Sequence, residues 1–67
     1  MSIYEHNERI ARNHLDVAMQ FISDNPGKEI STIDLMRRYE ISSYIADILF
    51  EMIDAELRKQ TMKGEIP

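Results

Sequence analysis

At 67 residues the chain has room for one domain, 1–67, and only a thin core, so it is marginal unless something else supports it. It has no cysteine, which excludes disulfides and thiolate zinc sites, and its twelve acids against eight bases (net charge −4) disfavour long-range attraction to nucleic acid or anionic lipid. A hydrophobic content of 43% excludes a disordered tail, and with no charged-then-apolar leader and no membrane-length apolar run the expected location is cytoplasmic.

The first element is a long amphipathic helix, about 3–23. At about 3.6 residues per turn, Ile3, Ile10, His14, Val17 and Phe21 fall on one stripe, which Ala11, Leu15, Ala18 and Ile22 widen. Glu5, Glu8, Arg9, Arg12, Asp16 and Gln20 take the other side, where Arg9, Arg12 and Asp16 can form pairs three or four residues apart. His14 on an apolar stripe reads as a packed histidine bonded to a backbone group, and His6 as solvent-exposed. Asp24-Asn25-Pro26-Gly27 is a turn signal that ends this helix.

A short second helix follows, about 32–39. Ser31 is its N-cap, Asp34 completes a capping box, and Ile30 and Leu35 suit a hydrophobic staple. Ile33, Leu35, Met36 and Tyr39 are its apolar members, while Arg37 and Arg38 point elsewhere. Residues Glu40 to Ser43 make a turn with Ile41 tucked inward, and Ser42 or Ser43 caps a third helix, about 43–60. Residues 61–67 are expected to fray. The fold class is therefore all-α, a three-helix domain with a helix-turn-helix motif.

The pattern Ser31-Thr32, Leu35, Arg37-Arg38-Tyr39, Ile41, Ala46 and Leu49 resembles the winged-helix domain at the C-terminus of bacterial DNA translocases. It is also similar to small helix-turn-helix regulators more widely. The similarity covers about 31–53. It implies a tri-helical fold whose third helix reads DNA through a polar, basic face, followed by a hairpin wing. The matching positions here hold Ser43, Tyr44, Asp47, Ile48 and Glu51, and no length for a wing is left before Pro67.

The third helix is acidic and carries no base before Arg58. Ala46, Leu49, Phe50, Ile53 and Leu57 form its expected core face. A second apolar sector, Tyr44, Ile48, Met52 and Ala55 with Ile45 near the seam, leaves only a narrow polar stripe of Asp47, Glu51, Asp54 and Arg58. An exposed apolar patch usually marks a partner surface, and a second copy joined across a two-fold axis is the simplest partner. Tyr44, Ile45, Ile48, Met52 and Ala55 are thus the expected interface.

The acidic pairs lack a cleft, a calcium-loop spacing or any nucleophile arrangement, so no catalytic residue, metal, cofactor or small-molecule substrate is expected. The leading expectation is a non-enzymatic regulator or inhibitor of a larger machine, a homodimer that binds a protein partner and no membrane. The alternative is a dimeric sequence-specific DNA binder. There Lys28, Thr32, Arg37 and Arg38 would meet phosphates, and Ser42, Ser43, Tyr44 and Asp47 would face the major groove.

Overall fold

A computed structural model describes residues 2–65, with side chains described through residue 60. It contains three helices, α1 (Ile3–Asp24), α2 (Thr32–Tyr39) and α3 (Ser43–Glu65), and no strand among the described residues. The domain is all-α. Among the described residues no helix is long and apolar enough to cross a membrane.

Each helix boundary has a local cause. Ser2 caps α1 by accepting from the Glu5 amide at 3.1 Å. At the other end the Asn25 amide donates to the Ile22 carbonyl (3.2 Å), and Asn25 Nδ2 donates to the Phe21 carbonyl (2.9 Å). These bonds satisfy carbonyls that a helix end would leave unpaired. The chain then reverses through Asn25-Pro26-Gly27-Lys28, closed by Lys28 N–H to Asn25 C=O at 3.2 Å. Gly27 has φ +85, the left-handed value a type II turn needs at its third position, with proline at the second.

The capping box of α2 is complete. The Asp34 amide donates to Ser31 Oγ (3.3 Å), and the Ser31 amide donates to Asp34 Oδ2 (3.1 Å). Glu40 ends α2 in the left-handed conformation, at φ 52 and ψ 48. Ser42, not Ser43, caps α3: its hydroxyl accepts from the Ile45 amide (3.3 Å) and its carbonyl from the Ala46 amide (2.9 Å).

One boundary differs from the sequence expectation. α3 continues to Glu65, where an end near residue 60 and a frayed tail were expected. Nothing between Gln60 and Lys63 breaks a helix, and a glycine at position 64 in a last turn costs only about 1 kcal/mol relative to alanine. Ile66 and Pro67 of that expected tail lie outside the described residues.

Both α1 and α2 pack on α3. The buried core is Ala11 and Ala18 from α1, Leu35 from α2, and Ile45, Ala46, Leu49 and Ile53 from α3. The α1 stripe is rotated from its expected centre. Ala11 and Ala18 mark its middle, Ile10, His14, Leu15, Phe21 and Ile22 are half-buried, and Val17 and Ile3 are exposed. Small residues win the centre because they let two helix backbones approach closely. The charged pairing also differs: Arg12 pairs back to Glu8 at 3.5 Å rather than forward to Asp16.

A larger correction concerns α3. Ile45 is a core residue, and Ile48 and Met52 are half-buried against that core. Phe50 and Leu57, expected inside, are 40% and 37% exposed. Two partner helices cover a wider arc of α3 than one would, and the arc centres on Leu49. The supposed second apolar sector is therefore mostly the flank of the first. Outside that arc, Ser43, Asp47, Glu51 and Arg58 are exposed and Asp54 is half-buried.

Candidate binding surfaces

Two surfaces carry exposed chemistry. The first is a hollow of about 370 Å³ between α1, the turn and α2. Ala18, Phe21, Ile30, Leu35 and Tyr39 make its apolar lining, and Lys28, Arg37, Arg38, Glu29 and Asp34 make its charged rim. The arginine doublet sits in the last turn of α2, where cations complement the helix dipole. The type II turn brings Lys28 to the same place. Arg38 stacks over the Phe21 ring with its guanidinium carbon 3.8 Å from the centroid, and the Lys28 Nζ lies 5.3 Å from it.

Charge in this hollow is unevenly committed. Asp34 is tied to Ser31, whose backbone amide, and then its hydroxyl at 3.1 Å, hold the carboxyl below its ordinary value. Desolvation opposes this, and the nearby charges of Lys28 and Arg37 add smaller contributions to the lowering. The ion pairs among the described residues are Arg12–Glu8, Arg58–Asp54 and Lys59–Glu56. Lys28, Arg37 and Arg38 take part in none of them.

The second surface is the outward face of α3. Asp47 and Glu51 lie one turn apart and are exposed. Tyr44, 74% exposed, flanks them on one side, and Phe50 flanks them on the other. Phe50 also borders a small apolar hollow of about 140 Å³ with Ile22, Ile30, Ile53 and Leu57, edged by Lys28 and Asp54.

The expected interface is thus dispersed. Tyr44 and Ala55 are exposed, Ile48 and Met52 are half-buried, and Ile45 is inside. Of the residues expected to meet nucleic acid, Lys28, Arg37 and Arg38 converge on one hollow. Thr32 is half-buried, and Ser42 and Ser43 are exposed, with the Ser42 hydroxyl engaged as a cap. Sequence reasoning missed Phe21 as the platform for two cations. Its signal was there, since Phe21 lies seven residues from His14 on the same stripe and faces the second helix, as His14 does.

His14 is a packed histidine, as expected. Its Nδ1 lies 2.9 Å from the Ile10 carbonyl, which can only accept, so Nδ1–H donates. Its ring meets Tyr39 at 5.2 Å between centroids, tilted by 52°. Among the described residues there is no group of three or more potential metal ligands. No protein-family model matches the chain, and no curated protein or solved structure matches it either.

Proposed function

We propose that this chain is a small non-enzymatic regulatory protein of helix-turn-helix type that works by binding another protein, with the outward face of α3 as the contact surface. One observation carries this reading. Where a DNA-reading helix would present basic and amide side chains, α3 exposes Asp47 and Glu51 beside Tyr44. Carboxylates can accept from cytosine, but each sits in the repulsive field of the phosphates. Against a protein, the same pattern supplies an aromatic anchor with charged neighbours that favour a basic partner. The lack of cysteine suits work in the cytosol.

The test is site-specific photo-crosslinking from position 44 in a cell extract, alongside an electrophoretic shift on duplex DNA at low salt. The reading expects a discrete protein adduct that is lost in the Asp47→Lys/Glu51→Lys variant, and no DNA shift. A salt-sensitive shift without any adduct would reverse it.

A second reading has its own support. Lys28, Arg37 and Arg38 gather in one place, as phosphate contacts would. In that reading the resemblance to the translocase winged-helix domain extends to DNA binding, with Thr32, Ser42, Ser43 and Tyr44 near the duplex. Neutralising the three cations should then abolish the shift, whereas changes at Asp47 should strengthen it.

A further inference from the structure

The two charged surfaces of this chain suit each other better than either suits itself. The hollow has an apolar floor and a mixed rim in which Lys28, Arg37 and Arg38 outnumber Glu29 and Asp34, and Asp34 is already tied to Ser31. A bare phosphate would leave that floor uncovered. The pattern selects an apolar side chain flanked by carboxylates. The outward face of α3 has this composition: Asp47 and Glu51 lie beside Tyr44, which is 74% exposed. No α3 residue lines the hollow, and Tyr44, Asp47 and Glu51 border neither it nor the smaller hollow beside Phe50, so one chain can offer both surfaces at once.

Pre-organisation points the same way. Arg38 is already held over Phe21, so less side-chain freedom is lost when a carboxylate arrives. A two-fold dimer through α3 is the weaker arrangement. With its axis between Asp47 and Glu51 it would bring the carboxylates of both copies together, and like charges across an interface are repulsive.

We propose that the protein self-associates head to tail, with the outward face of α3 of one copy seated in the α1–α2 hollow of the next. This rests on the protein-contact reading above and names a second copy as one occupant. Such a contact is heterologous, so it extends into a chain unless its rotation closes a ring.

The test is sedimentation of the full chain over a concentration series. The mass should rise with concentration at low salt, and association should weaken about tenfold or more when salt screens the contact. Two variants separate the surfaces: Arg37→Gln/Arg38→Gln disables the hollow, and Asp47→Asn/Glu51→Gln disables the stripe. Each alone should remain monomeric with an unchanged circular dichroism spectrum. Mixed, they should form a one-to-one dimer and nothing larger, because each keeps one working surface. If the arginine pair unfolds α2, Lys28→Gln at the exposed turn takes its place. A wild type that stays monomeric throughout would overturn the proposal, as would a single variant that associates like the wild type or a mixture that stays monomeric. A monomeric chain that still forms the Tyr44 adduct would remove this inference and leave the protein-contact reading standing.

Discussion

The guanidinium of Arg38 lies 3.8 Å from the centre of the Phe21 ring, which ties the end of α2 to the last turns of α1. A cation–π contact at a partly exposed site contributes about 0.5–1 kcal/mol. A double-mutant cycle with Phe21→Leu and Arg38→Gln, read by urea unfolding, should return a coupling of that size. Additive effects would mean that the stacking contributes nothing to stability.

The capping box makes a prediction in pH. The Asp34 carboxyl is held below its ordinary value chiefly by the Ser31 backbone amide. A lowered folded value means the charged form is favoured in the folded state. Its contribution is complete above about pH 5 and fades as pH falls through the carboxylate range, below about pH 4. Asp34→Asn should flatten the acid limb of the thermal midpoint against pH. Ser31→Ala should cost about 1 kcal/mol at neutral pH and flatten the same limb.

Glu40 holds a left-handed backbone that a residue with a Cβ adopts at a cost of about 1–2 kcal/mol. Glu40→Gly removes the cost but adds freedom to the unfolded chain. The expected net gain is about 0.5–1 kcal/mol, visible as a higher urea midpoint. A loss of stability would show that the Glu40 side chain makes a compensating contact.

Leu49 is fully buried, at the centre of the arc that α1 and α2 cover. Leu49→Ala should cost about 2–5 kcal/mol, enough to unfold much of a domain this small at ambient temperature. Phe50→Ala, one residue on, should cost far less because that ring is 40% exposed. Near-equal losses would contradict the orientation of α3 described above.

Much of the architecture was legible because it is local. Ser31 with Asp34, the Asn25-Pro26-Gly27 turn and the Ser42 cap are decided within a few residues, and they set where α1 ends and where α2 and α3 begin. What periodicity could not fix was rotation. On a wheel Val17 and Ala18 are both apolar, and only a neighbouring helix decides which turns inward. The same ambiguity placed Phe50 in the core and Ile45 at an interface. Volume settled it: alanines at positions 11, 18 and 46 allow a closer approach than the larger residues beside them. The gathering of Lys28, Arg37 and Arg38 was half legible, since their charges were plain and their convergence depended on the turn.

Those three alanines have a mechanical consequence. With Ala11, Ala18 and Ala46 at most 1% exposed, the core has three positions with no long side chain to deform, although Met19 and Met52 pack against it. Those three positions work as fixed spacers in the packing of the two longest helices, α1 and α3. A larger residue there would not open a void; it would act as a wedge and tilt the whole lever of α3. The acidic stripe and the cationic hollow would then move relative to each other together, so a single methyl group deep inside can retune two surfaces it never touches.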